Sequence, residues 1–269
     1  MAPARADMTA AIRARRTLAR WAALAALALL AACAVPARGT DRNVLWRIVH
    51  EQCVPHQAAF GFPAPCLAVH PRAGYALLKD RNGATQVLLI PTARVTGIED
   101  KAVRAPGAPD YLALAWADRG VVEALAGRAL PRGDVALAVN SIAGRTQDQL
   151  HIHIDCLRRS VRDALAARSG GLDMGWREFP VPLAGARYLA RVVEGTTLAG
   201  VNPFALLADQ VPGAAEAMGQ WTLVVAAARL APDGRPGFVL LAGHTDPKTG
   251  DRGAGEELQD HACALARNP

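Results

Sequence analysis

Three common signatures of nucleotide and ester chemistry are missing from this chain. It has no G-x-S-x-G elbow, no glycine-rich phosphate loop and no G-x-G-x-x-G turn, so no motif for those chemistries offers a rival active site. Aromatic residues are scarce at 5%, while half of the 269 residues are apolar. A core built from them is mostly Ala, Leu and Val, and the length suffices for one large domain or two small fused ones. A basic body is also lacking. The net charge is +6, but residues 1–32 hold five arginines against one aspartate, which leaves +2 on residues 33–269. A nearly neutral body argues against a nucleic-acid partner.

The apolar run that follows Arg20 covers only the twelve residues 21–32. That suits a signal-peptide h-region and falls short of the roughly 20 residues that span a bilayer. Leu30-Ala31-Ala32-Cys33 resembles the bacterial lipoprotein processing box, so residues 1–40 read as a targeting segment and linker, and 41–269 as the body. An uncleaved N-terminal anchor is the alternative. Both place the body outside the cytoplasm and tethered to the cell membrane. With Cys33 set aside, four cysteines remain, and three pairings are open to them. Cys53 and Cys66 flank a segment rich in proline (Pro55, Pro63, Pro65), which suits a local staple. Cys156 would then join Cys263; four buried free thiols are the other reading.

Periodicity outlines the body as α+β. Residues 41–51 have helical spacing, with Asp41 as N-cap. Residues 75–78 and 85–90 read as strands joined through Asn82-Gly83. The pattern predicts a helix over 109–125, a hairpin from 134 to 157, a helix over 161–168 and a strand over 188–193. Helical pieces follow at 203–209 and 214–218, strands at 221–228 and 237–242, and a closing helix at 256–266. Strands paired as hairpins between helices exclude a doubly wound parallel sheet. The half from Tyr188 onward repeats the hairpin-and-helix order without a histidine cluster, as a degenerate duplication would.

The densest chemistry lies in the hairpin 134–157. Side chains alternate along a strand, so His151, His153 and Asp155 share one face while Ile152, Ile154 and Cys156 face a core. Three readings fit His-x-His-x-Asp: a metal site, a nucleophilic histidine oriented by its neighbours, or a polar stripe on an exposed strand. The binuclear metal pattern His-x-His-x-Asp-His would need a histidine where Cys156 stands. His244 and His261 lie far downstream, and His261 reads as a charge or packing residue on the closing helix.

The run Gln147-Asp148-Gln149-Leu150-His151-Ile152-His153-Ile154 resembles the histidine-triad superfamily, whose signature alternates histidines with apolar residues after a polar loop. Over residues 41–267 the chain resembles, more closely, the CDP-diacylglycerol diphosphatase (CDP-diacylglycerol pyrophosphatase) family. Ile48-Val49-x-Glu51-x-Cys53, Gly74-Tyr75, Leu78-Lys79-Asp80-x-Asn82-Gly83, Leu89-Ile90-Pro91-Thr92-x-Arg94 and Asn140-Ser141-x-x-Gly144-Arg145-Thr146-Gln147 carry the likeness. It continues through Tyr188-Leu189-Ala190-Arg191, Pro203-Phe204, Phe238–Ala242 and Asp260-His261-x-Cys263.

The resemblance implies a histidine-triad-like antiparallel sheet that hydrolyses CDP-diacylglycerol to CMP and phosphatidate, with a membrane lipid as partner and no metal or other cofactor. It implies that His153 attacks the nucleoside-linked phosphorus and that His151 orients the ring. Asp155 stands where the superfamily has its third histidine, and would hold a cationic partner or a water instead. Asn140, Gln147, Arg94, Lys79 and Ser141 are implied substrate contacts, with Arg145 a weaker one. A metal-dependent phosphohydrolase using His151, His153 and Asp155, and a histidine-triad hydrolase of soluble nucleotide diphosphates, are the alternative functions. Homo-oligomerisation is left open.

Overall fold

Buried β-branched and leucine-rich runs, bounded by turn residues, form the strands. In the computed structural model, which describes residues 41–267, nine strands make one antiparallel sheet. They are β1 (Ala68–His70), β2 (Tyr75–Lys79), β3 (Val87–Pro91), β4 (Val135–Val139), β5 (Ile152–Cys156), β6 (Arg177–Glu178), β7 (Tyr188–Glu194), β8 (Trp221–Leu230) and β9 (Arg235–His244). Their order is β1-β2-β3-β5-β4-β8-β9-β7-β6. The strands and interspersed helices are α+β, as the pattern predicts. The sequence β2-β3-β5-β4 is met again from the other edge as β6-β7-β9-β8, with β4 beside β8 at the centre. The expected targeting segment, with its apolar run and Cys33, lies outside the described residues. Among the described residues no helix is long and apolar enough to cross a membrane.

Helices cover both faces of the sheet. Helices α3 (Tyr111–Ala117), α4 (Gly120–Ala126) and α6 (Pro203–Gln210) send Leu112, Trp116, Val122, Phe204 and Leu207 onto the face that carries Leu137, Ile152, Ile154, Val225 and Leu240. The opposite face holds two separate apolar clusters. One joins Ala136, Ala138, Val224 and Ala226 to Val161 and Leu165 of α5 (Arg159–Arg168). The other joins Leu78, Leu88 and Ile90 to Val49 and Cys53 of the N-terminal helix. The histidines stand at the seam between the two. The last helix, α7, is Ala264–Arg267.

Four predicted elements differ from those found. The N-terminal helix begins at Val44, with Asn43 rather than Asp41 at the cap position. It runs through α1 (Val44–Arg47), a π-helical stretch (Ile48–Cys53) and α2 (Val54–Phe60). The wider π turn ends just before Pro55, where a regular helix would press the ring on the carbonyl four residues back. The helix expected over 109–125 is broken between α3 and α4 at Asp118–Arg119. Residues 214–216 form a turn and Met218 opens a 3-10 turn, and of the helix expected over 256–266 only the last turn forms, as α7. A 3-10 turn (Gly255–Leu258) ends at Gln259, whose extended ψ of 155° carries the chain away, and Gln259 bridges Leu157 instead. The disulfides are Cys53–Cys66 and Cys156–Cys263, with Cα separations of 5.6 and 5.2 Å.

Candidate active site

β5 pairs with β4 and β3 so that His153 lies opposite Ala138 on one side and Leu88 on the other, and Asp155 lies opposite Ala136. Directly opposed residues share a face. Two alanines therefore leave room beside the two polar side chains. His151, His153 and Asp155 are 8%, 4% and 0% exposed, which rules out a polar stripe on an open strand. Ile152, Ile154 and Cys156 pack in the core on the other face.

Each imidazole is fixed from one side. His151 Nδ1 is 2.7 Å from the Gln149 carbonyl, which accepts its proton. The two rings meet edge to face with centroids 5.0 Å apart. Glu256 Oε2 lies 3.2 Å from His153 Nδ1. A ring proton on Nδ1 would face that carboxylate and leave the lone pair on Nε2. Gln86 Nε2 stands 2.8 Å from the same nitrogen and 3.5 Å from Glu256 Oε2, and its buried amide oxygen has no partner among the described residues. His153 Nε2 is buried and has no partner among the described residues. Burial pushes both imidazoles down to about 4, with His153 adding repulsion on His151, and His261 on His153. Both rings are neutral at pH 7, so the Glu256 contact is not an ion pair.

Glu256 is itself held. Asn140 Nδ2 donates to Glu256 Oε1 at 2.8 Å, and Glu256 N–H donates to Asn140 Oδ1 at 3.2 Å. The preceding Gly255 lies flat on the sheet: a Cβ there would fall 2.4 Å from Thr222 Oγ1 and 2.6 Å from Val224 Cγ2. Only glycine lets the backbone approach closely enough for Glu256 to reach the ring.

Asp155 is fully engaged. Thr85 Oγ1 donates to Oδ1 at 2.6 Å, Cys156 N–H donates to the same oxygen at 2.9 Å, and His261 Nδ1 donates to Oδ2 at 2.8 Å. The hydrogen bond to Asp155 holds the His261 imidazole above its ordinary range. His261 belongs to a turn beside the site, not to the surface of a closing helix. Among the described residues no three His, Cys, Asp or Glu side chains converge as a metal-binding set. The alternating face of β5 fails as such a set because the oxygens of Asp155 turn to Thr85 and His261.

The remaining sequence candidates take other places. Lys79 is in register with Val87, and Val87 with Ile154. It therefore leaves the sheet on the face opposite His153, and its ammonium donates to the Asp80 and Gly83 carbonyls at 2.6 and 2.9 Å. Arg94 donates to Asn43 Oδ1 and lies over the Trp46 ring at 5.3 Å. Gln147 accepts from Leu45 N–H at 3.1 Å. Ser141 donates to the Arg252 carbonyl and accepts from Gly144 N–H. Arg145, buried, forks onto Glu99 at 2.7 and 2.6 Å and reaches Asp148 at 3.2 Å. Gln147, Ser141 and Arg145 thus tie the loop 140–151 to its neighbours, Arg94 is held by the N-terminal helix, and only Asn140 is drawn to the histidines, through Glu256. Thr85, Gln86, Glu256 and Gln259, which donates to the His153 carbonyl at 3.1 Å, carry no local signal in the sequence.

A desolvated, neutral imidazole with one nitrogen anchored and the other bare is equipment for nucleophilic catalysis in a hydrolase. The model of the CDP-diacylglycerol pyrophosphatase family matches residues 40–267. A protein of Yersinia pestis named CDP-diacylglycerol pyrophosphatase is 43% identical over 228 residues, which is 85% of this chain and 86% of that protein. The chain belongs to the CDP-diacylglycerol pyrophosphatase family, and is an enzyme of the phosphoric anhydride hydrolase class.

Proposed function

We propose that the enzyme hydrolyses CDP-diacylglycerol to CMP and phosphatidate through a nucleotidyl-histidine formed on His153. The bare Nε2 of that ring, opposite an Nδ1–H held by Glu256, carries the reading. Nε2 attacks the phosphorus attached to cytidine, and the anhydride bond to phosphatidate breaks. The ring becomes cationic once it bears phosphorus, and Glu256 then faces a full positive charge at Nδ1. Water hydrolyses the P–N bond and returns the lone pair to Nε2. The attack calls for a neutral, oriented imidazole in a dry setting.

The same reading places the body outside the cytoplasm, tethered through lipidated Cys33 or an N-terminal anchor, where the acyl chains of the substrate remain in the bilayer. Two disulfides suit an oxidising compartment. Opposed half-sheets with the same strand order support a degenerate duplication in which only the first half keeps the histidines.

The test measures CMP release from CDP-diacylglycerol in mixed micelles by the full chain, wild type beside His153→Ala, with and without EDTA. The expected outcome is wild-type turnover that survives EDTA and falls at least about a thousand-fold in the mutant, as for loss of an enzymatic nucleophile. Turnover by His153→Ala would sink the proposal, and loss with EDTA would move the argument to a metal. Assayed on cell fractions, the activity is expected with membranes; activity in the soluble exported fraction would contradict the tether. Faster turnover of a soluble CDP-alcohol than of the lipid would favour the alternative substrate class.

A further inference from the structure

The Asp155–His261 pair has no task in the reaction described so far, yet it adjoins the attacking ring. Asp155 leaves β5 two residues after His153 and on the same face, and both its oxygens are occupied. The ring proton on Nδ1 of His261 is committed to that carboxylate. Nε2 is therefore the position left to exchange a proton with a ligand, and it has no partner among the described residues. The side chain is 34% exposed, half-shielded on the Asp155 side and open on the other. A cavity of about 560 Å³ begins there, lined by Arg158, Arg159, Ser160, Gln259, Asp260 and His261.

The position of the ring is enforced from three sides. The turn between β2 and β3 presses on it: a Cβ at Gly83 would lie 2.5 Å from His261 Cβ, and Ala84 N–H donates to the His261 carbonyl at 2.8 Å. Asp260 N–H donates to the Cys156 carbonyl at 2.8 Å. The Cys156–Cys263 disulfide clamps both ends of the pair, one residue after Asp155 and two after His261. The charged and titratable groups facing the ring are Asp155 and His153 on β5, Glu256 on the C-terminal turn, Asp80 on the β2–β3 turn, and Arg158, Arg159 and Asp260 along the cavity. Three of the carboxyl groups, Asp155, Glu256 and Asp80, favour the protonated ring.

We infer that His261 protonates the departing phosphate oxygen and then takes a proton from the attacking water, serving as the acid and base that Asp155 positions. This rests on the nucleotidyl-histidine reading. In the first half-reaction His153 Nε2 forms the P–N bond, the P–O anhydride bond breaks, and the bridging oxygen keeps its electron pair and receives the Nε2 proton of His261. In the second, water adds to phosphorus, the P–N pair returns to His153, and the water proton passes to the now neutral His261. Both residues end as they began. One histidine from the far end of the chain thus completes, through a carboxylate, a set that β5 alone leaves incomplete.

The test compares the full-chain wild type, His261→Gln and Asp155→Asn on CDP-diacylglycerol and on the p-nitrophenyl ester of CMP, whose leaving oxygen departs without a proton. His261→Gln is expected to lower kcat on CDP-diacylglycerol by about 10²–10⁴-fold, the usual worth of general acid–base catalysis, with KM nearly unchanged. On the ester it should release one p-nitrophenol per active site in a burst and keep CMP bound covalently, because bond breaking no longer needs the acid while water still needs the base. Asp155→Asn keeps the ring, and should shift the alkaline limb of kcat to lower pH. Wild-type turnover by His261→Gln overturns the inference; so does an equal fall on both substrates without a burst, the mark of a structural role. Activity in His153→Ala would instead sink the underlying reading, whereas an inactive His153→Ala beside a fully active His261→Gln would leave that reading standing and remove only the role of His261.

Discussion

At the scale of residues, the site separates two imidazoles that burial holds neutral from a third whose charged form a carboxylate favours. His151 and His153 lie in a dry seam, where water cannot solvate a charge. His261 is half-open and hydrogen-bonded to Asp155, so its charged form is favoured. In the proposed mechanism a nucleophile and an acid of the same chemical type thus coexist within one site, told apart by surroundings alone. In that mechanism Glu256 has the narrower task of holding Nδ1–H and answering the charge that grows on the ring. A hydrogen bond to a charged group is worth about 1.5–3 kcal/mol, or roughly ten- to a hundred-fold in rate. Glu256→Gln should therefore lower kcat by that factor with little change in KM, measured as CMP release; a change confined to KM would show that Glu256 holds substrate instead.

At the scale of elements, precision comes from close backbone approach. Residues 253–260 lie against β4, β5 and β8 because Gly255 has no Cβ to meet Thr222 and Val224. Thr222 Oγ1 then accepts from Gly255 N–H at 2.9 Å, which seats the segment. Gly255→Ala adds a methyl where none fits, at about 1–3 kcal/mol of stability, and it lifts Glu256 from the ring. The expected result is a folded protein with a thermal midpoint lowered by several degrees and kcat reduced at least as far as in Glu256→Gln. An unchanged kcat would mean that Glu256 reaches His153 without this approach.

At the scale of the whole molecule, one sheet draws its site from both ends of the chain. β5 supplies the histidines, β3 and its preceding turn supply Thr85 and Gln86, and residues 256–261 supply Glu256 and His261. The two disulfides each tie a sheet-packed segment to a distant or looping one. Folding also desolvates His151 and His153, whose values fall from 6.5 to about 4. The unfolded chain binds more protons between those values, so stability is complete above 6.5 and is lost as the pH drops towards 4. The penalty is on the order of 3 kcal/mol per ring. His261 has the opposite sign: its raised value adds stability below 6.5 that disappears as pH rises through the folded value. Thermal midpoints from pH 4 to 8 should therefore fall by several degrees on the acid side, and a His153→Gln variant should lose part of that slope. A flat profile would show that the rings are hydrated in the folded state.

Much of this was legible in local pattern. Alternation placed His151, His153 and Asp155 on one face and Ile152, Ile154 and Cys156 on the other, because the period of a strand is dictated by its backbone. Turn residues marked the β2–β3, β4–β5 and β8–β9 connections, and proline and cysteine spacing suggested the disulfides that formed. Lys79 was misplaced to the site because a helpful charge at a strand end does not declare its face; its register with Val87 and Ile154 does. His261 was read as a helix residue because residues 256–266 have helical composition. The competing bridge of Gln259 to Leu157 and the disulfide at Cys263 outweigh that propensity, which is a weak prior against tertiary contacts. The sequence by itself determined the strand faces, the pair of histidines and the family. Only the tertiary structure decided that Glu256, Gln86 and His261 complete the site, since contacts between residues more than sixty positions apart in the chain depend on how strands order in the sheet, and no local spacing encodes that order.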